Sequence, residues 1–175
     1  MPNSAPVDVL SAVALETLVV ERTLSASPER VFNAFTDPRQ LTQWWWPAGF
    51  SCPRAEVDLR IGGTYRLEME WPEFIPVEAR FSHYLGGEYY EISRPGRLVM
   101  SGRALTVDNE ELFATLIEVT LLPVEGGCAL TMRQSYFAPL PPPEAMGGAH
   151  VGWSQQLDKL EVLLDSPELR DDAED

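Results

Sequence analysis

The sequence contains few of the residues that usually bind metals or form disulfides. It has two cysteines, Cys52 and Cys128, and two histidines, His83 and His150. The cysteines lie far apart and in no CxxC or Cys/His spacing, so neither a disulfide framework nor a zinc site is indicated. Each histidine lacks further ligands at a spacing that would complete a metal site. We therefore expect reduced thiols, no metal and no cofactor.

Basic residues are also scarce. The chain has 13 Lys and Arg residues against 27 Asp and Glu residues, which gives a formal net charge of −14. Such a charge repels phosphate backbones and anionic lipid headgroups, so we expect neither nucleic acid nor a membrane surface as a partner. Part of the charge lies in the terminal run of residues 171–175, where we expect a solvated tail.

Long apolar runs are missing as well. No stretch approaches the roughly 20 apolar residues that a membrane-spanning helix requires. The N-terminal segment lacks a basic region, and it carries Asp8 and Glu16 where a secretion signal has an uninterrupted apolar core. The expected compartment is the cytoplasm.

The common catalytic motifs do not occur either. The chain contains no GxSxG, no HExxH and no cysteine paired with a nearby histidine motif. None of the glycine pairs is followed by the helix start and lysine of a phosphate-binding loop. Glu68 and Glu70 fall on one strand face, as solvent exposure predicts, and nothing singles out two carboxylates that face one cleft. We predict no catalytic residues and expect no dedicated catalysis.

The first part of the chain predicts one strand and two short helices. Residues 18–24, LVVERTL, mix β-branched and charged residues, which is typical of a strand. Ser27 can cap a helix with Pro28 in its first turn, and Asp37 and Pro38 repeat this arrangement for a second helix. The sheet is therefore interrupted after its first strand.

A series of strands is predicted next. Apolar side chains alternate strictly with charged ones from Tyr65 to Trp71, which indicates a half-buried strand. Further strand candidates are VEARFSHYL, GEYYEI, RLVMSGR, ELFATLIEVTLL and CALTMRQSY. Short turns separate them at GG, RPG, DNE and EGG, so neighbouring strands are expected to be antiparallel. The sequence thus predicts a sheet of six or seven strands.

The chain ends in a predicted long helix over residues 144–166. Large or small apolar residues recur there at spacings of three and four: Met146, Ala149, Trp153, Leu157, Leu160 and Leu164. Gly147, Gly148 and Gly152 interrupt this pattern, and each glycine costs a helix about 1 kcal/mol relative to alanine. A helix that keeps three glycines is expected to pack closely there or to bend.

These elements and their motifs resemble one known family. In order along the chain, the motifs are RTLSASPERVFNAFTDPRQLTQWWWPAGF, DLRIGGTYR, GEYYEISRPGRLVMS and HVGWSQQLDKLEVLL. Together they resemble the SRPBCC or START-like superfamily and, within it, the activator of heat-shock-chaperone ATPase homologue-like (AHSA-like) family. The resemblance covers residues 18–164. The sequence departs from the family's usual pattern in two places. It has Trp46 where the family usually has a small residue, and it contains the aromatic insert WPEFIPVEARF.

The resemblance implies an α+β helix-grip fold, like that of START domains and the birch pollen allergen. In this fold a curved antiparallel sheet of six or seven strands wraps around a long C-terminal helix, with two short helices after the first strand. The expected organisation is a flexible extension over residues 1–16, a single domain over 17–166 and an acidic flexible tail over 167–175.

Helix-grip domains characteristically leave a cavity between the long helix and the concave face of the sheet. The chain is rich in large rings, which either pack the core or line such a cavity. We predict the following lining residues: Trp45, Tyr65, Leu67, Met69, Trp71, Phe81, Tyr89, Met100, Phe113, Met132, Tyr136, Trp153 and Leu157. Because apolar pockets carry a few placed polar groups, we expect these from Gln134, Tyr136 or Arg103.

Three functions are consistent with this sequence. The first is binding of a small hydrophobic or aromatic ligand, such as a lipid, polyketide or aromatic metabolite, in the cavity. The second is a protein-interaction module that regulates a chaperone ATPase or a stress response, as the family name implies. The third is a hydrolase- or cyclase-like enzyme, which rests on fold analogy alone. The expected partner is a small hydrophobic molecule, with a protein partner as the alternative, and the expected assembly is a monomer or homodimer.

Overall fold

The computed structural model describes residues 6–166, so the acidic tail predicted over 167–175 lies outside the described residues. Seven strands and three α-helices follow one another in the predicted order. Their bounds are β1 Glu16–Leu24, α1 Pro28–Thr36, α2 Pro38–Trp44, β2 Ala55–Val57, β3 Thr64–Glu68, β4 Tyr84–Ser93, β5 Arg97–Leu105, β6 Glu111–Val124, β7 Gly127–Tyr136 and α3 Pro143–Leu164. A 3-10 turn, Val77–Ala79, precedes β4. The predicted strand VEARFSHYL is therefore wrong over most of its length, since only its last two residues belong to β4, and β2 was not predicted.

The seven strands form one antiparallel sheet in the order β1-β7-β6-β5-β4-β3-β2. Every neighbouring pair is antiparallel. The helices α1 and α2 contact α3 and the strands, and α3 lies against one face of the sheet. This arrangement confirms the predicted α+β helix-grip fold.

The two short helices begin where the sequence predicts. Ser27 Oγ accepts a hydrogen bond from the Arg30 amide at 3.2 Å. Asp37 Oδ1 accepts one from the Arg39 amide at 2.9 Å. Burial opposes ionisation of Asp37, but its hydrogen bonds with Arg39 and Gln40 outweigh this effect and lower the carboxyl pKa. Both caps satisfy amides that a helix start leaves without partners.

The core lies between α3 and the inner face of the sheet. Leu157 and Leu160 of α3 are 0% exposed, as their spacing along the helix predicts. They belong to a cluster that includes Met132 of β7 and Ile117 of β6. The second half of α3 therefore closes directly on the sheet.

A smaller cluster covers the outer face of the sheet. Val9 is buried there against Ala114 and Phe137. Arg103 also lies on this side, where it donates to the Val7 carbonyl at 2.8 Å and pairs with Glu111 at 2.9 Å. Because side chains alternate along a strand, Arg103 points away from the inner face and contributes no polar group to it.

Candidate binding cavity

A cavity of about 360 Å³ lies between the first half of α3, the segment after α2 and strands β5 to β7. Its lining is mostly aromatic and aliphatic. Seven of the thirteen residues predicted as lining contribute to its wall: Trp45, Met69, Trp71, Phe81, Phe113, Tyr136 and Trp153. A void of this volume falls within the range of small-molecule pockets.

The other six predicted lining residues are buried in the core and do not reach this cavity: Tyr65, Leu67, Tyr89, Met100, Met132 and Leu157. Leu157 and Met132 lie where α3 has already closed on the sheet. Tyr65 and Tyr89 pack on each other with ring centroids 5.4 Å apart. The Tyr65 hydroxyl donates to the Ser101 carbonyl of β5 at 2.6 Å, and this bond holds the ring in the core, outside the cavity.

Two groups of edge-to-face rings form the aromatic wall. The ring centroids of Trp45 and Trp153 are 5.4 Å apart, with an interplanar angle of 83°. Trp71 lies between Phe50 and Phe81, at 5.1 Å from the first ring and 5.3 Å from the second. Phe81 is 41% exposed, so this second group marks the side where the cavity meets solvent. Edge-to-face packing stabilises the positions of these rings, in addition to the stabilisation from burying their apolar surface.

Trp46 is a lining residue that the sequence analysis did not include. Its φ is +85°, a conformation that favours glycine, and its ring is nevertheless buried beside the cavity. The indole Nε1 donates to the Glu68 carbonyl at 2.8 Å. Lys159 Nζ donates to the carbonyls of Trp46 and Phe50 at 2.9 and 3.3 Å, and burial lowers its pKa. These bonds hold the strained segment against α3.

A closed hydrogen-bond network forms the polar part of the wall. Gln134 Oε1 accepts from Trp153 Nε1 at 2.8 Å and from the Tyr136 hydroxyl at 3.0 Å. Gln134 Nε2 donates to Thr115 Oγ1 at 3.2 Å, which in turn donates to the Gly102 carbonyl at 2.9 Å. Burial raises the pKa of Tyr136 to about 12, so the phenol is neutral at physiological pH. Gln134 therefore satisfies the buried indole N–H of Trp153.

Gln156 is a polar lining residue that sequence reasoning missed. It is 6% exposed, and its Nε2 has no hydrogen-bond partner within the described part of the chain. Its position was available from the sequence, because it follows Ala149 by seven residues and Trp153 by three. A search for apolar residues alone does not include a glutamine on this helix face, so Gln156 was not predicted.

The helix side of the cavity is thinly covered. Gly148 and Gly152 both line it. A Cβ added at Gly152 would lie 3.2 Å from Pro47 Cγ, whereas one added at Gly148 would meet nothing within 4 Å. Gly152 thus permits close packing against the segment after α2, and Gly148 leaves open space.

Among residues 6–166, the undescribed side chain of Glu144 excepted, no acidic or basic side chain lines the cavity. Within the same residues, no group of three or more His, Cys, Asp or Glu side chains is placed to hold a metal ion. Burial raises the pKa of the Cys52 thiol to about 11, and both cysteines are free and buried. In the described part of the chain, no helix is both long and apolar enough to cross a membrane. The site is thus an uncharged pocket.

Comparison with known proteins identifies the family. No curated protein matches the sequence. A solved structure from Chromobacterium violaceum is 31% identical, with a TM-score of 0.69 over 86% of this chain and 97% of that one. A structure from Mesorhizobium loti is 27% identical, with a TM-score of 0.67 over 86% of this chain and 97% of that one.

A third structure, from Rhizobium leguminosarum, is 25% identical, with a TM-score of 0.69 over 86% of this chain and 94% of that one. The model of the family described as Activator of Hsp90 ATPase homolog 1-like protein matches residues 25–165. These matches support a ligand-binding or regulatory domain in general. Because the family model spans well over half of the sequence, the chain belongs to the Activator of Hsp90 ATPase homolog 1-like family.

Proposed function

We propose that this protein binds a small, mostly apolar molecule in the cavity between α3 and the sheet. The observation that carries the proposal is a cavity of about 360 Å³ whose described lining is mostly aromatic and aliphatic and carries no charge. Protein interiors contain few voids larger than a water molecule. A cavity of about 150 Å³ holds benzene, so this one corresponds to roughly 14 ligand heavy atoms.

The void is not the result of a chain that lacks large residues. One to two turns further along α3, Leu157 and Leu160 fill the corresponding space completely. At the cavity the helix carries Gly148 and Gly152 instead, and the space beside Gly148 is open. Glycines in a helix cost stability, so their presence beside a void favours a role in admitting a ligand.

The wall also indicates the shape of the ligand. Trp45 and Trp153 present one edge-to-face pair of rings, and Trp71 with Phe50 and Phe81 presents a second edge-to-face group. Flat aromatic molecules pack well against such rings, in stacked or edge-to-face geometry. We therefore expect molecules of two or three fused rings to fit better than long acyl chains.

Binding is tested with the tricyclic hydrocarbon fluorene, by thermal unfolding and by calorimetric titration. At a ligand concentration about 100 times Kd the folded state gains about 2.7 kcal/mol, which for a domain of this size raises Tm by roughly 5 to 10 °C. Naphthalene and a long-chain fatty acid serve as smaller and longer probes. We expect fluorene to bind more tightly than either.

A matched pair of variants locates the binding site. Gly148→Leu places about 100 Å³ of side chain toward the cavity at roughly 25 Å³ per heavy atom. Gly147→Leu makes the same change one residue earlier, where the glycine does not line the cavity. We expect the first variant to weaken fluorene binding at least tenfold and the second to leave it unchanged. The proposal fails if no probe binds to the wild-type protein, or if both variants bind fluorene equally well.

A further inference from the structure

One polar group in the cavity wall has no partner. Gln156 is 6% exposed, lines the cavity and has an amide nitrogen without a hydrogen bond to any described residue. The large majority of buried side-chain donors in proteins have a hydrogen-bond partner, because a buried donor without one loses its hydration and gains nothing in return. A buried donor that faces a ligand-sized void is a candidate contact for the ligand.

The neighbouring polar groups do not satisfy this donor. Gln134 Oε1 already accepts two hydrogen bonds, from Trp153 and Tyr136, and its Nε2 donates to Thr115. The Tyr136 hydroxyl gives its proton to Gln134. The wall therefore has one closed network on the sheet and one unpaired amide on the helix opposite.

The charge of the surroundings restricts the ligand further. No acidic or basic side chain that the structure describes, which within residues 6–166 leaves out only Glu144, lines the cavity. The nearest basic residue along α3 is Lys159, one turn after Gln156, and its ammonium group donates to the carbonyls of Trp46 and Phe50. A charged ligand would lose its hydration without gaining a lining counter-ion, which is strongly unfavourable.

We propose that the ligand is a neutral fused-ring molecule with an oxygen acceptor, an aromatic ketone being the simplest case, and that its oxygen accepts a hydrogen bond from Gln156 Nε2. This inference rests on the proposed function, since it names the chemical class of the ligand for the same cavity. Gln156 then determines specificity, because it separates a carbonyl compound from a hydrocarbon of the same shape.

The test compares fluorene with fluorenone, which has the same ring system and one carbonyl group. Both are titrated against the wild-type protein and against Gln156→Met, which keeps the side-chain length and removes the donor. We expect the preference for fluorenone over fluorene to fall about tenfold in the variant, the effect of one neutral hydrogen bond whose loss leaves a buried acceptor unpaired. Fluorene itself is expected to bind both proteins equally.

Gln40→Met is the matched control. Gln40 is also buried and also has an unpaired side-chain atom, Oε1, but it does not line the cavity. We expect this variant to keep the wild-type preference. Gln156→Leu is a second test variant, whose side chain also lacks a donor, and thermal unfolding verifies that each variant is folded.

The possible outcomes separate this inference from the proposed function. If neither compound binds to the wild-type protein, the proposed function is wrong. If both bind and the preference is the same in wild type, Gln156→Met and Gln156→Leu, the cavity is a ligand site but the inference about Gln156 is overturned. If a fluorene carboxylate binds more tightly than fluorenone, the inference that the ligand is neutral is wrong, and pairing of the carboxylate with Lys159 is indicated.

Discussion

Trp153 is the residue whose truncation should change the cavity most. Trp153→Ala removes nine heavy atoms from a ring that lines the cavity, packs edge-to-face on Trp45 and donates to Gln134. At roughly 25 Å³ per heavy atom, the void grows by about 225 Å³. The variant should lose about 3 to 5 kcal/mol of stability, as expected for a large aromatic core truncation.

The functional consequence is a change in size preference. The wild-type cavity accommodates roughly 14 heavy atoms, so fluorene should fit and the four-ring pyrene should not. In Trp153→Ala, the three extra carbons of pyrene correspond to as much as about 2.4 kcal/mol, so pyrene should gain at least about tenfold over fluorene. Calorimetric titration at a temperature where both proteins are folded measures this ratio.

Trp44→Ala provides the control for stability. Trp44 is 0% exposed and donates to the Ala34 carbonyl at 2.9 Å, but it does not line the cavity. The two variants should therefore lose similar stability, and only Trp153→Ala should shift the preference toward pyrene. An unchanged pyrene to fluorene ratio in Trp153→Ala, or an equal shift in Trp44→Ala, would refute the placement of Trp153 in the binding site.

Three further predictions concern stability. Leu160→Ala should cost about 2 to 5 kcal/mol in urea unfolding, and a loss below about 1 kcal/mol would show that this helix face is misassigned. Trp46→Gly should be about 1 kcal/mol more stable than Trp46→Ala, reversing the usual order, because only glycine relieves the positive φ; the usual order in urea unfolding would contradict the strained backbone. Burial raises the pKa of Tyr136 from its ordinary value of about 10 to about 12 in the folded protein, so the stability that it contributes is present below pH 10 and is lost as the pH rises toward 12. The stability difference between wild type and Tyr136→Phe should shrink over that range, and a constant difference would contradict the buried phenol.

Local patterns were sufficient to predict the fold. Ser27 and Asp37 cap helices as their side-chain chemistry requires, and the alternation around Tyr65 and Leu67 places both side chains inward. The end of the chain forms α3 within two residues of the predicted bounds of 144–166. These features depend on neighbouring residues, which the sequence contains directly.

The site was harder to predict because its limits depend on tertiary distances. Alternation along β7 and the 3.6-residue period of α3 show that Met132 and Trp153 face inward, but they do not show where along α3 the helix closes on the sheet. Along α3, the cavity is open beside Gly148, where the neighbouring space is empty, and it is closed at the fully buried Leu157. Trp46 was missed because its positive φ breaks the local pattern.

A crystal structure of the protein with fluorenone tests the central claim most directly. We predict electron density for the ligand between α3 and strands β5 to β7, in contact with Trp45 and Trp153, and with its carbonyl oxygen within hydrogen-bonding distance of Gln156 Nε2. Ligand density only on the outer surface, or a cavity closed by rearranged side chains at a saturating concentration of fluorenone, would contradict the account.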